Sequence, residues 1–312
     1  PETEKRIQAE DRRSLEHAFR ERGGVREVRR RSTGHPTQFS IRLEFALPTG
    51  EIGHHAFSID AVREATPAVL AEECVIQRPT FPSERRFFRV RKGIVTACSV
   101  PGAPAAAADR LYLGQVSGLP SFRPLYDTLS RMGFYRLHPD RMREVQAPDS
   151  GDLLARDGGN IAGVVASLEK SGVALRRIED YLGRMVPGLR SVERKALGSK
   201  ETLEFRQAVT GAREPWRFSA ANLSDGALRA LGILTALFQG AGGPGRRPSL
   251  IGLEEPESAL HPAAAGVLRD ALREAGRDVQ IIATTHSPDL LDDRTVEGDW
   301  LVAVSSVAGL TR

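Results

Sequence analysis

Two mostly apolar runs, residues 249–253 and 279–284, constrain the fold of this chain more than any other feature. Each run has the length of a strand and is too short for a stable helix. Helical patterns over 227–239 and 262–275 alternate with them, and a last strand is predicted at 300–305. Apolar strands that alternate with helices are typical of parallel sheets covered on both faces. The sequence therefore predicts an α/β domain with a mostly parallel sheet flanked by helices.

Alternation with a period of two marks the amino-terminal part of the chain. Apolar and polar side chains alternate over 39–45, a Pro-Thr-Gly turn follows, and the pattern returns over 52–59. A second pair of segments, 86–91 and 94–100, meets at a Lys-Gly turn. These pairs predict an antiparallel sheet built from hairpins.

Helices are predicted on either side of these hairpins. Apolar residues at near-helical spacing over 4–22 predict one helix, which two glycines end, and a short helix is predicted at 61–73. Asn160 is a candidate N-cap, because its side chain can accept a hydrogen bond from a first-turn amide. Beyond a Pro/Ala-rich loop at 100–108, the sequence predicts helices at 123–132, 160–170 and 175–185, and a strand at 203–209.

These elements divide the chain into three predicted parts. Residues 1–100 form an amino-terminal lobe with a helix and an antiparallel sheet. Residues 101–200 form a mainly helical insertion, and residues 201–312 form a lobe with the apolar strands.

Composition excludes several classes of protein. Hydrophobic residues make up 40% and charged residues 27% of the 312 positions, as in folded proteins. No segment approaches the roughly 18 apolar residues that cross a bilayer, so we expect a cytoplasmic protein without a membrane partner. The two cysteines, Cys74 and Cys98, lack metal-ligand spacing, and we expect reduced thiols. A net charge of +4 permits contact with DNA, but the excess of arginine also fits genome base composition.

Carboxylates and a histidine follow the two apolar runs. Glu254 and Glu255 end the first run before Pro256, and His286 follows the second. Ligands of open α/β sheets bind at the carboxyl ends of the strands, where these side chains are expected to meet. Adjacent carboxylates are costly to hold together unless a cation or a reaction uses them. The alternative is an acidic helix N-terminus favoured by the helix dipole.

A short polar turn, residues 223–226, precedes the helix at 227–239. Its Ser224, Asp225 and Gly226 are residue types that cap helices, and capping alone explains them. The same position also binds anions, because free amides and the positive end of the dipole converge there. We call residues 223–226 the signature turn.

Order and spacing of these segments resemble those of ABC-type ATPase heads of the RecF, SMC and OLD kind, within the AAA family ATPases. Leu223-Ser224-Asp225-Gly226 looks like the signature motif, and residues 250–255 look like Walker B. Thr284-Thr285-His286 looks like the switch region. Residues 258–261 resemble the D-loop, with the run Ser258, Ala259, Leu260 and His261. The resemblance covers about residues 205–295 and implies a P-loop NTPase fold of the ABC type.

The resemblance also implies roles for these residues. Glu254 would hold Mg²⁺ through water, Glu255 would polarise the attacking water, and His286 would contact the γ-phosphate. The signature turn would reach ATP bound by the opposite protomer, so ATP and Mg²⁺ are the implied cofactors and a homodimer the implied assembly. DNA and an effector protein are further implied partners, in DNA maintenance or anti-phage defence. Two positions depart from the family: Glu254 replaces the commoner aspartate, and Asp225 brings a negative charge where glycine is usual.

The P-loop lysine of such a site is not in this sequence. A P-loop ends in Gly-Lys-Ser/Thr, and none of the five lysines follows a glycine. We expect that the P-loop segment precedes Pro1 and that these 312 residues alone are inactive as an ATPase. The alternative is a non-hydrolysing scaffold or regulatory subunit that lost its P-loop. An effector domain such as a Toprim nuclease beyond Arg312 is a third reading.

Overall fold

The computed structural model describes Leu15, Phe19, and residues 38–62, 66–242, 247–291, 296, 298–307 and 310–311. The chain divides into two compact units, Pro1–Ser130 with Val304–Arg312, and Arg131–Ala303. The three-part division at residues 100 and 200 stays a prediction. Within the predicted helix over 4–22, only Leu15 and Phe19 are described, and both are helical.

The first unit is built on a five-stranded antiparallel sheet whose strands follow chain order. Its strands are β1 (Gln38–Ala46), β2 (Ile52–Val62), β3 (Thr66–Arg78), β4 (Phe81–Arg91) and β5 (Ile94–Cys98). Two short helices follow, α1 (Tyr112–Gln115) and α2 (Arg123–Ser130). The predicted hairpins are confirmed, since β1 pairs with β2 and β4 with β5 in antiparallel register.

The short helix predicted at 61–73 is wrong, because β3 occupies most of that range. Its alanines and glutamates favour a helix weakly, but β3 lies between β2 and β4 and pairs with both. Pairing with β2 along this stretch, and with β4 from Ala71 onward, outweighs that propensity. A buried carboxylate on β3, Glu72, also accepts hydrogen bonds from His55 Nε2 and from the Leu113 amide of α1, both at 2.9 Å.

The second unit contains a three-stranded parallel sheet and an antiparallel sheet. The parallel sheet has the order β11-β10-β6, with β6 (Met132–Tyr135), β10 (Leu250–Glu254) and β11 (Gln280–Thr284). The antiparallel sheet contains β7 (Leu189–Leu197), β8 (Lys200–Gln207) and β9 (Trp216–Ser219). The helices are α3 (Pro139–Arg143), α4 (Ile161–Glu169), α5 (Val173–Met185), α6 (Asp225–Phe238), α7 (Ala265–Ala275) and α8 (Pro288–Leu291), and 3-10 turns lie at Ala220–Asn222, Gln239–Gly242, Pro262–Ala264 and Gly298–Trp300.

Residues 101–200 contain β6 and β7 as well as helices, because β6 pairs with the distant β10 and β7 forms a hairpin with β8. Two sequence predictions differ from this unit. Asn160 stands at the N-cap of α4, but its side chain bonds the 149–155 loop instead of a helix amide.

The strand predicted at 300–305 is irregular after Trp300, and Val302 and Val304 are 86% and 70% exposed. No neighbouring strand within the described ranges pairs with that segment. A two-residue pair, β12 (Ser306–Val307) with β13 (Leu310–Thr311), follows it in the first unit.

The parallel sheet buries only one of its faces. Ile251 and Leu253 of β10 point into the core, which α6 enters with nearly every side chain buried. On the other face, Phe134 and Ile282 flank Gly252 in register and are 55% and 52% exposed. We call these three residues the open face. The prediction of a sheet covered on both faces therefore holds for one face of the described structure.

Within the described residues, no helix combines the length and apolar character that a membrane span requires.

Candidate functional site

The carboxyl ends of β10 and β11 bring the predicted acidic residues and the histidine to one edge of the sheet. Glu254 pairs with Thr284 in the parallel register. The next residue, Glu255, has a left-handed backbone with φ of 43°, and its amide donates to the Thr284 carbonyl oxygen at 2.9 Å. Non-glycine residues in this conformation are strained and often lie at functional sites, where surrounding contacts hold them. The strand ends therefore fix where the carboxylate of Glu255 points.

Glu255 and His286 lie side by side at this edge. The Nε2 atom of His286 is 3.7 Å from Oε1 of Glu255, and the two side chains are 92% and 46% exposed. Ser258 donates its hydroxyl hydrogen to the other carboxylate oxygen at 3.1 Å. One oxygen is thus held by the protein while the other faces His286 and solvent, which suits a group that polarises a bound water.

A second hydroxyl connects the loops that follow the two strands. Thr285 donates to Oε1 of Glu257, and its oxygen accepts the amide of Ser287 at 3.0 Å. Sequence analysis assigned no separate role to Glu257 or Ser287, and their pairing has no signal in the sequence because it depends on how the strands align. These bonds fix the segment that carries His286.

Ser224 caps α6 and is exposed. Its Oγ accepts the amide of Ala227 at 3.3 Å, and Asp225 beside it is also exposed. Ser224 therefore acts as a helix cap, as the sequence predicts. Capping does not exclude anion binding, since one side-chain acceptor satisfies one of the four free amides of a helix N-terminus.

The signature turn contacts the D-loop, residues 258–261. A Cβ atom added to Gly226 would lie 2.6 Å from the carbonyl oxygen of Ala259, so glycine is required for this approach. Arg229 of α6 donates to the Ser258 carbonyl oxygen at 3.1 Å. Through Ser258, which bonds Glu255, the turn and the carboxylate belong to one connected arrangement in the second unit.

The rest of the D-loop has structural contacts of its own. Ala259 has a positive φ of 65°. Leu260 packs against the core of the unit, and His261 accepts the amide of Ala263 at its Nδ1 atom, 3.2 Å away. The D-loop therefore links β10 to the 3-10 turn before α7.

Asp225 does not present a free negative charge at the signature turn, because Arg143 pairs with it. Arg143 also donates to the Leu223 carbonyl oxygen at 3.1 Å. The hydrogen bond to Asp225 is the main cause that raises the pKa of Arg143 above its ordinary value. Arg143 could not be identified from the sequence, because it lies 82 residues upstream of Asp225 and has no motif around it.

The oxygen groups at the strand ends suit a hard cation such as Mg²⁺. Glu254 is exposed and pairs with Thr284 in the strand register, and its side chain makes no hydrogen bond or ion pair within the described part of the chain. In the same residues, no group of three or more acidic, histidine or cysteine side chains could hold a metal by itself. A cation held by one carboxylate, waters and phosphates fits both observations, since Mg²⁺ often keeps its waters.

Comparison with protein families gives one match. The family described as "AAA domain, putative AbiEii toxin, Type IV TA system" matches residues 114–292, which is more than half of the chain. The matched range contains the signature turn, β10, β11 and His286. A search of curated proteins gives no match.

Several solved structures are similar at low identity. An Smc head with an extended coiled coil, bound to the C-terminal domain of ScpA and derived from Pyrococcus furiosus, is 10% identical with a TM-score of 0.43, covering 84% of this chain and 76% of that one. The SMC head domain from Thermotoga maritima is 12% identical with a TM-score of 0.33, covering 83% and 72%. An SmcHead bound to the C-winged helix domain of ScpA is 11% identical with a TM-score of 0.43, covering 84% and 73%. Values this low carry no information about activity.

Proposed function

Because the chain belongs to the AAA-domain family that is described with the AbiEii toxin, we propose that it is the catalytic part of an ATP-hydrolysing, ABC-type head of the RecF, SMC and OLD kind. One observation carries the proposal: Glu255 and His286 lie 3.7 Å apart at the ends of adjacent parallel strands. A general base and a phosphate contact must both reach the same γ-phosphate, and this distance allows it.

Each residue has a task in this proposal. Glu255, held by Ser258, accepts a hydrogen bond from the attacking water and polarises it. Glu254, at the end of β10, would hold Mg²⁺ through water. His286 donates to the γ-phosphate from an exposed position, where a nucleotide can reach it.

The signature turn would act on a second copy of the chain. Ser224 and Asp225 at the start of α6 are exposed, and a helix N-terminus favours phosphate. Two heads would therefore meet face to face, each contributing its signature turn to the nucleotide bound by the other. The contact between Gly226 and Ala259 makes the D-loop part of the same surface.

The proposal needs a phosphate-binding loop from a further segment, as none of the lysines in these 312 residues follows a glycine. Losing the lysine and several amide contacts would remove roughly 5–10 kcal/mol of phosphate binding. The open face supports the proposal of such a segment. Glu254 lies two residues after Gly252 on that face, so a loop that shares its Mg²⁺ must lie beside it.

The biological role is proposed from the description of the matching family. The family description names a toxin of a toxin–antitoxin system, which favours a defence role over DNA maintenance. A DNA partner and an effector protein are parts of this proposal that rest on the sequence resemblance.

Calorimetric titration with Mg²⁺-ATP and an ATP turnover assay test the proposal. The full-length protein, including any Gly-Lys-Ser/Thr loop that its gene encodes, should bind ATP with Mg²⁺ and hydrolyse it. The 312-residue chain should do neither. Micromolar binding by the 312-residue chain would reveal a different phosphate cradle. Binding without turnover by the full-length protein would favour the non-hydrolysing scaffold.

A further inference from the structure

An ion pair joins two segments that lie 82 residues apart, Arg143 at the end of α3 and Asp225 in the signature turn. The Nη2 atom of Arg143 donates to a carboxylate oxygen of Asp225 and, at 3.1 Å, to the carbonyl oxygen of Leu223. Its Nη1 atom donates to Asp140 at 2.7 Å. One guanidinium therefore holds both the charge and the backbone of the signature turn.

Packing of α3 fixes where this guanidinium lies. Met142, the preceding residue, is 1% exposed, and its Cε lies 3.1 Å from where a Cβ on Gly232 of α6 would be. The side chain of Arg143 is 23% exposed, whereas that of Asp225 is 66% exposed. The cation is thus enclosed by the fold, and the anion is the exposed member of the pair.

We propose that Arg143 is a positioning residue of the nucleotide site, which neutralises Asp225 and fixes the Leu223 carbonyl so that the signature turn can approach the phosphates bound by a second copy. This inference rests on the proposed function of the head. A carboxylate that meets phosphate across an interface is strongly disfavoured, because like charges repel most where water is excluded. Pairing with Arg143 removes that repulsion and leaves the helix amides to bind the anion.

The shape of the guanidinium matters as well as its charge. Arginine presents several donors in a planar fork, while lysine offers a compact point charge. The Arg143→Lys variant should therefore neutralise Asp225 but hold the Leu223 carbonyl poorly. Its effect should lie between that of the wild type and that of Arg143→Ala.

Dimerisation of the full-length protein with Mg²⁺-ATP, followed by analytical ultracentrifugation, provides the test. Arg143→Ala should weaken the ATP-dependent dimer by about 10- to 100-fold. Adding Asp225→Asn to Arg143→Ala should bring dimerisation back to about the level of Arg143→Lys, because the repelling charge is gone while the Leu223 carbonyl stays unheld. Arg141→Ala is the matched control: it removes another arginine of α3, which pairs with Glu144 and Asp157 away from the turn, and it should leave dimerisation unchanged.

Rescue separates positioning from folding. If Arg143 only stabilised the fold, Arg143→Ala would lower the melting temperature and Asp225→Asn would not restore the dimer. That result, or an unaffected dimer in Arg143→Ala, would overturn the inference. A wild-type protein that neither binds ATP nor dimerises with it would instead overturn the proposed function.

Discussion

Gly226 at the start of α6 lies against the backbone of Ala259, so closely that a Cβ would stand 2.6 Å from the Ala259 carbonyl oxygen. This relationship joins the signature turn to the D-loop within one chain. The two segments therefore pack backbone against backbone. The contact gives a stability prediction that does not depend on nucleotide.

Gly226→Ala should destabilise the protein by about 1–3 kcal/mol, because the methyl group meets backbone that cannot move aside easily. Gly266→Ala is the matched control. Gly266 is likewise the second residue of its helix, and the nearest atom to its added Cβ is a side-chain nitrogen of Arg269 at 3.7 Å. That substitution should stabilise by about 0.5–1 kcal/mol, since alanine is the better helix former. Urea unfolding of both variants compares them, and equal effects would contradict the contact.

Glu255→Gln should slow ATP turnover of the full-length protein by about 10²- to 10⁴-fold, because glutamine cannot accept the proton of the attacking water. Nucleotide binding should persist, so an ATP-bound dimer should accumulate. Steady-state turnover and size-exclusion chromatography with ATP measure both effects. Glu144→Gln, at an exposed ion pair on the surface, serves as the control. Undiminished turnover in Glu255→Gln would remove this residue from catalysis.

Ser224→Arg should abolish the ATP-dependent dimer while each head still binds nucleotide, because the long side chain blocks the opposite phosphate. Ser224→Thr keeps the hydroxyl that accepts the Ala227 amide and should dimerise normally. Sedimentation with ATP, combined with calorimetric titration, separates dimerisation from binding. A normal dimer in Ser224→Arg would place the signature turn outside the interface.

Cys74 should resist alkylation in the native protein. Burial, reinforced by the nearby Glu72 carboxylate, raises the pKa of its thiol to about 12. The thiolate fraction near pH 8 is then on the order of 10⁻⁴, at least about 10³-fold below that of an ordinary thiol. Labelling should accelerate as the pH rises toward 12, because the thiolate is the reacting form.

Cys98, which is partly exposed, is the internal control and should react first with iodoacetamide. Both cysteines should react at similar rates in the unfolded chain. Mass spectrometry of the labelled peptides distinguishes them. Cys74 on β3 and Cys98 on β5 both pair with Phe88 of β4, from opposite sides. The two cysteines are therefore two strand spacings apart, about 9–10 Å, and this distance is too long for a disulfide. Native labelling of Cys74 as fast as Cys98 would contradict its burial.

Local sequence was sufficient for elements that depend on neighbours in the chain. The apolar runs predicted β10 and β11, because short apolar runs favour strands over helices; β10 is buried, whereas β11 is mostly exposed. Parallel strands end at one edge, so the meeting of Glu255 with His286 followed from the same pattern. The cap at Ser224 was equally local, since the acceptor and the Ala227 amide lie three residues apart.

Tertiary structure decided everything that depended on distant partners. Residues 66–73 form a strand because β2 pairs along this stretch and β4 joins it from Ala71 onward, and this outweighs a weak helical preference. Residues 301–305 have the composition of a strand but no such neighbours in the described ranges, and they stay irregular. From the sequence alone, Asp225 is an isolated negative charge, because nothing in the sequence places Arg143 beside it. Helix propensity, caps and apolar periodicity act over a few residues and can be read from the chain, whereas pairing across 82 positions exists only once the chain has folded.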